Sequence, residues 1–247
     1  MIKKFEMKSH DGPGRIGKVD GETTPRIFFR SDLKIAPSEG SAYNIDREIA
    51  EFNVKETLRL AKENVDDCDI AVIQGSKYID LRIECLKKLE EIGYNGFIIA
   101  NGDALLTNPK ELVEMIVSLK KEAEKTSYFI FSFTEVSFMP ILTYMGIDGF
   151  LADSANYYSH MNVLQTPTKA YDLSEYPIYE NISQKDLEKK NIKNMEFVIK
   201  EIHAHMKNRS LRNLVEERSG TTPQNVSTLK ILDRNHMDYL LEYTQLF

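Results

Sequence analysis

The feature that most constrains the fold is a repeated alternation, from about residue 42 onward, of short runs rich in β-branched and aromatic residues with longer amphipathic segments. Asp69-Ile-Ala-Val-Ile-Gln74 is a brief apolar run closed by Gly75, the pattern of a strand buried on both faces. Tyr78 to Ile92 sets Leu81, Cys85, Leu89 and Ile92 on one helical stripe and stops at Gly93. Gly96-Phe-Ile-Ile-Ala100 is the next strand. Thr107-Asn-Pro109 then opens a helix with a capping residue and a proline in the first turn, and Leu112, Met115, Ile116 and Leu119 form its buried face. Further strands follow at Tyr128–Phe133 and Gly149–Asp153. Strand and helix alternating at this rhythm predict a parallel sheet with right-handed crossovers.

The flanks follow other patterns. Arg15–Val19 and Arg26–Phe29 are two strand candidates around a turn at Asp20-Gly21, and residues 161–182 form a hairpin or loop broken by Pro167 and Pro177. From Gln184 the pattern is helical, with Met195, Val198, Ile199, Ile202 and Met206 on one stripe. The simplest division is an α/β body over 1–182 and a helical C-terminal extension over 183–247 packed on it.

No basic, apolar and small-residue opening marks the chain for export, and no run of about 18 apolar residues could span a bilayer, so a cytoplasmic protein is expected. Cys68 and Cys85 read as small core residues. The net charge of −6 argues against a surface coated in positive charge, yet residues 199–234 hold seven basic and four acidic side chains, a local excess of three. Lys207, Arg209 and Arg212 of that stretch are the candidates for phosphate contact, against the plain alternative of solvated helix faces. His203 and His205 stand two apart on a helix, point to different faces, and are expected at its surface.

In parallel α/β sheets, functional groups gather at the C-terminal ends of the strands. Those ends read Gln74-Gly75-Ser76, Asn101-Gly102-Asp103, Ser132-Phe-Thr-Glu135 and Asp153-Ser154. An aspartate at such a mouth either attacks an electrophilic carbon or caps the turn that follows, and both readings stand for Asp153. Asp103 and Glu135 are acid/base candidates.

Several of these segments, in this order, resemble one family. His10-Asp-Gly-Pro-Gly-Arg-Ile-Gly-Lys18 with Thr23-Thr-Pro25 is similar to the opening of tRNA-guanine transglycosylases and their archaeosine-synthase relatives. Val72-Ile-Gln-Gly-Ser76, Asp80-Leu-Arg82 and Ile92-Gly-Tyr-Asn-Gly-Phe97 resemble the family's central strand–helix–strand unit. Met145-Gly-Ile-Asp148, Asp153-Ser-Ala155 and Tyr157-Tyr158 resemble its nucleophile-bearing strand, and Leu211–Arg218 resembles the end of the archaeal catalytic domain. The resemblance implies a TIM-like (β/α) barrel, here shortened or incomplete, that handles a guanine-like base on tRNA. Asp153 falls at the position of the covalent nucleophile. Gln74 and Gly75 fall where the purine edge is contacted, with Asn101 and Asp103 as further base-binding candidates.

Three departures bear on the activity. The stretch between Pro25 and a helix expected at Val54–Asn64 is too short for the family's second to fourth strands and its Asp-Ser-Gly-Gly segment. The zinc-binding cysteines have no counterpart between Tyr176 and Lys193. Ala100-Asn101 replaces a glycine pair. These losses resemble the archaeosine-synthase branch, which converts a 7-deazaguanine already placed in tRNA. The reading is thus of an archaeal tRNA-modification protein without metal or cofactor, working as an oligomer or with a partner subunit that carries the remaining archaeosine synthase domains. The alternative is a non-catalytic scaffold that binds tRNA or that partner.

Overall fold

The computed structural model describes residues 5–179 and 181–242. Strands β1 (Glu6–Asp11), β2 (Gly14–Val19) and β3 (Glu22–Thr24) form a small antiparallel sheet, and β4 (Arg26–Phe28) follows directly. After an irregular stretch come α1 (Arg47–Glu63), β5 (Ile70–Ile73), α2 (Ile79–Ile92), β6 (Gly96–Ile99), α3 (Gly102–Thr107), α4 (Pro109–Glu122) and β7 (Tyr128–Phe131). The chain continues through α5 (Met139–Tyr144), β8 (Gly149–Leu151), α6 (Asp153–His160) and a hairpin of β9 (Val163–Gln165) with β10 (Ala170–Asp172). It then runs through α7 (Gln184–Lys207), α8 (Leu211–Ser219), α9 (Pro223–Asn235) and α10 (Met237–Glu242).

The main sheet has five parallel strands in the order β4-β8-β7-β6-β5. Its residues alternate between two separate apolar clusters, as the period of two requires. Phe28, Ile70, Ile98, Ile130 and Leu151 face inward and pack with Phe5, just ahead of β1, and Val19 of β2. Ala71, Ile73, Phe97, Ile99, Phe129, Phe131 and Phe150 face outward into the larger core shared with the helices. The stripe of α7 predicted from sequence (Met195, Val198, Ile199, Ile202, Met206) is buried in that same core, together with Leu214 and Val215 of α8 and Leu232 of α9. The C-terminal helices therefore share the central core.

The barrel expectation holds only in part. Among the described residues the sheet is open, with β4 and β5 at its edges. The β5 edge is partly covered by residues 34–36: Ile35 bridges Ile70 in parallel, Ala36 N donates to Ile70 O at 2.8 Å, and Ile70 N donates to Lys34 O at 3.1 Å. That cover satisfies backbone groups that a bare edge would leave to solvent or another chain. Between β4 and this segment lies a cavity of about 280 Å³ lined by residues 26–29, 32–34, Asp69, Ile70 and Tyr128. Closure of a ring would have to cross it.

Three other expectations are corrected. Arg15–Val19 and Arg26–Phe29 do not pair with each other: the turn at Asp20-Gly21 joins β2 to β3, and β4 enters the parallel sheet beside β8. The first helix begins at Arg47, not Val54. Asp153 is the first residue of α6 rather than the tip of β8. No helix among the described residues is long and apolar enough to cross a membrane.

Candidate functional site

Because all five strands are parallel, the segments after β4, β5, β6, β7 and β8 meet at one end of the sheet. Arg30, Gln74, Asn101, Ser132 and Asp153 all stand on this rim. Asp153 and Gln74 thus share an end, three strand spacings or roughly 14 Å apart across the sheet.

The geometry beneath the rim is set by Arg82, a fully buried guanidinium on the first turn of α2. Its Nε donates to Ser76 O at 2.7 Å, Nη1 to Ala100 O at 3.0 Å and Ile73 O at 3.3 Å, and Nη2 to Asn101 Oδ1 at 2.9 Å. One side chain thus ties together the C-terminal ends of β5 and β6. Burial holds its pKa down to about 10, but a planar fork with donors on every nitrogen suits several carbonyls at once. Gly75 belongs to the same arrangement. Its φ of +139° is open to glycine, and a Cβ there would lie 2.8 Å from both Arg82 Cγ and Arg82 N.

Asn101 adopts the left-handed conformation, φ +60°, which asparagine tolerates better than most residues. Its amide is fully engaged, accepting from Arg82 and donating to Ser41 O at 2.8 Å. These two bonds tie the side chain to the scaffold beneath the rim. Gln74 differs. It is 4% exposed, and its Oε1 is buried without a hydrogen-bond partner among the described residues. A buried carbonyl left unpaired costs about 1–3 kcal/mol, which an incoming N–H donor would relieve.

Asp153 is half-buried and accepts from Arg30 Nε at 2.7 Å. Nearby stands an aromatic group that sequence reasoning did not single out as a unit. Phe133, Tyr157 and Tyr158 pack with ring centroids 5.2–5.6 Å apart. Tyr158 donates its hydroxyl to Glu135 Oε1 at 3.3 Å. Burial pushes the Glu135 carboxyl up, with the Tyr158 hydrogen bond opposing, and Tyr158 is raised by burial and by the Glu135 charge. Asp103 lies exposed on α3 close enough for its charge to act on Tyr158 as well. The rim thus combines an unpaired buried acceptor, a carboxylate–arginine pair, a second carboxyl with raised pKa, and exposed aromatic faces. Such a set can hold a flat heterocycle with N–H donors on its edge.

The three candidate phosphate contacts separate. Arg212 is half-buried and committed to ion pairs, its Nη1 and Nη2 reaching Asp233 at 2.6 and 2.8 Å and its Nε reaching Glu216 at 2.7 Å. Lys207 and Arg209 are exposed at the end of α7, with no side-chain partner among the described residues. His203 and His205 are half-buried rather than on the open helix surface: His203 Nε2 lies 2.8 Å from Pro25 O and His205 Nδ1 lies 3.1 Å from Ser210 O.

Comparison with known proteins converges on one family. The family described as Queuine tRNA-ribosyltransferase matches residues 26–186. A tRNA-guanine(15) transglycosylase of Nanoarchaeum equitans is 24% identical over 198 residues, covering 74% of this chain and 47% of that protein. One of Methanococcus aeolicus is 34% identical over 42% of this chain and 19% of its own length. A queuine tRNA-ribosyltransferase of Shewanella loihica is 32% identical over 40% of this chain and 29% of its own length. The chain thus spans less than half the length of these relatives. With the matched family region running from β4 through the strand ends that form the rim and into the first turn of α7, the chain belongs to the tRNA-guanine transglycosylase family.

Proposed function

We propose that this chain is a tRNA-modification protein of the archaeosine (7-deazaguanine) pathway, archaeal and cytoplasmic. It would supply the transglycosylase-like α/β domain and act with a partner subunit bearing the remaining archaeosine synthase domains. The observation that carries the reading is the buried, unpaired Oε1 of Gln74 on the same rim as Asp153. A guanine-like base offers N–H donors for that oxygen, and the Phe133–Tyr157–Tyr158 group offers faces on which a base or ribose can rest. Gly75, Asn101 and Arg82 hold the rim in shape, and Asp103 and Glu135 are the carboxyl groups available for proton transfer.

The Arg30–Asp153 pair favours conversion of a base already in place over base exchange. A carboxylate paired with a guanidinium 2.7 Å away is a poorer nucleophile toward a ribose carbon, the attack that base exchange requires, whereas conversion of a base in place leaves the glycosidic bond intact and needs no such attack. The same pair supports the second reading, a scaffold derived from the family that binds tRNA without chemistry.

Mass analysis of tRNA nucleosides from a strain lacking the gene tests the first reading. Loss of archaeosine is expected, and unchanged archaeosine would remove the pathway assignment. Asp153→Asn then divides the two readings: lost modification with retained tRNA binding marks a chemical role, and full modification marks a scaffold.

A further inference from the structure

At the other end of the sheet, the antiparallel strands and the end of α7 enclose a cleft of about 520 Å³ lined by Ser9, His10, Ile16, Thr23, His203, Met206, Lys207 and Arg209. We propose that this cleft binds a phosphate group and that, on the reading of tRNA as substrate, the group belongs to the tRNA backbone. The inference rests on that reading only for the source of the phosphate.

The lining is an inventory of donors on an apolar floor. Lys207 contributes an ammonium, Arg209 a guanidinium, and Ser9 and Thr23 hydroxyls, beside the imidazoles of His10 and His203 and over Ile16 and Met206. Among the described residues no carboxylate lines it. The contrast along the same stretch is informative. Arg212 is matched by Asp233 and Glu216, and Arg218 by Glu201 and Glu217, while Lys207 and Arg209 are left without a carboxylate among the described residues.

Arg209 also sits in the left-handed conformation, φ +53°, just past the helix end. Glycine is the usual residue there, and an arginine costs roughly 1 kcal/mol or more. The conformation brings the guanidinium of a post-helix residue to the wall that carries Lys207. A cation near a helix C-terminus also answers the helix dipole, but that alone needs no cleft, no histidine pair and no left-handed arginine.

His203 Nε2, facing the carbonyl of Pro25, must carry the proton of that hydrogen bond. Burial lowers its pKa, and a phosphate arriving beside it would raise it again.

Position fits a second contact on a long ligand. Pro25 stands ahead of β4 and Arg30 behind it, so the cleft and the Asp153 rim are separated by at least the strand between them, on the order of 15 Å. A nucleic-acid strand presents a phosphate every ~3.4 Å of axis, so one engaged at the rim has phosphates at this distance too.

The test uses the full chain in two arms. In the first, inorganic phosphate is titrated while the ring protons of the five histidines are followed by NMR. Shifts at His10 and His203 are expected in the wild type and should be lost in the doubly substituted Lys207→Gln, Arg209→Gln protein, whose surface positions leave the core untouched. Phosphate that moves neither histidine overturns the inference. In the second arm, tRNA binding is followed by fluorescence anisotropy across a salt series. Removing the two cations that hold one phosphate should lower the log–log salt slope by about 1 and weaken binding severalfold at low salt. Equal tRNA affinity in both proteins would assign the cleft to a different phosphorylated ligand. A wild-type chain that takes phosphate but not tRNA would remove the tRNA reading and leave the cleft standing.

Discussion

Arg82→Met is the substitution whose effect follows most directly from the structure. It removes the donors serving Ser76 O, Ile73 O, Ala100 O and Asn101 Oδ1, all beneath the rim. Each acceptor left short of a donor in a buried setting costs roughly 1–3 kcal/mol. Against that, the guanidinium no longer has to be held in a site that lowers its pKa from 12.5 to about 10, which returns roughly 3 kcal/mol, and the methionine recovers packing along the stem. The net is a destabilisation of about 4 kcal/mol, within the range found when one member of a buried charged network is removed. At roughly 2–4 °C per kcal/mol for a domain of this size, the melting temperature should fall by about 8–16 °C. Arg82→Lys keeps the charge but cannot reach four acceptors, and should lose about half as much. Scanning calorimetry reads the stability. Amide hydrogen exchange reads its location, with Gln74, Ser76 and Gly102 losing protection before the amides of β7. A methionine variant within about 1 kcal/mol of wild type, or a lysine variant equal to it, would refute the assignment of Arg82 as the tie between β5 and β6.

Three further outcomes are expected. Asp148 is fully buried, accepts from Arg15 Nε at 2.7 Å and Nη2 at 2.8 Å, and accepts from Phe129 N at 2.9 Å. Asp148→Ala should therefore cost about 3–5 kcal/mol in urea unfolding, and the paired substitutions Arg15→Met with Asp148→Leu should recover most of it. Burial, with Arg15 adding to it and Asp148 opposing, drives the Lys120 pKa down to about 7 from 10.5. The unfolded chain then binds more protons between pH 7 and pH 10.5, so wild-type stability should rise with pH relative to Lys120→Met by up to about 1.4 kcal/mol per pH unit; parallel pH profiles of the two proteins would contradict this. Glu135 has its pKa raised, so the folded chain holds the extra proton and stability falls as pH climbs from 4.5 through the folded value. Glu135→Gln should flatten that part of the unfolding profile without lowering stability at pH 7.

The sequence was legible where one physical signal dominated. The buried strands β5, β6 and β7 are runs of apolar residues, and the cap at Asn108, which accepts from Glu111 N at 3.3 Å, and the stop at Gly93 mark helix ends as expected. The start of α1 was obscured because its buried face includes Asn53 and Thr57 while Ile49 and Phe52 face solvent, so hydropathy gives the wrong stripe. Helices α3, α5 and α6 span six, six and eight residues, too short for a period of 3.6 to declare itself. At the rim, the strand-end rule located Gln74, Asp103, Glu135 and Asp153 on one end. It could not show that Asn101 turns its amide to Arg82, or that Arg30 meets Asp153 across 123 residues of chain, because pairings of that range are set by tertiary packing.

The open sheet and the contiguous rim are compatible for a topological reason. The open seam lies between β4 and the segment at residues 34–36, whereas the strand ends that carry Gln74, Asn101, Ser132 and Asp153 belong to β5, β6, β7 and β8, which are contiguous in the sheet. The opening at the seam leaves the four neighbouring strands β5, β6, β7 and β8 in register through three ladders, with Ile73, Ile99, Phe131 and Phe150 at one level. By resemblance, the second catalytic aspartate of the family belongs to the segment that is short here, and the remaining aspartate is answered by Arg30. On the proposed reading, a rim whose aspartate is already paired with an arginine is better suited to presenting a base than to replacing it. If Arg30→Ala, which frees the Asp153 carboxylate, enabled the chain to exchange a guanine into tRNA, Arg30 would be the restraint that separates the two activities; if exchange stayed absent, the short segment itself would be the cause.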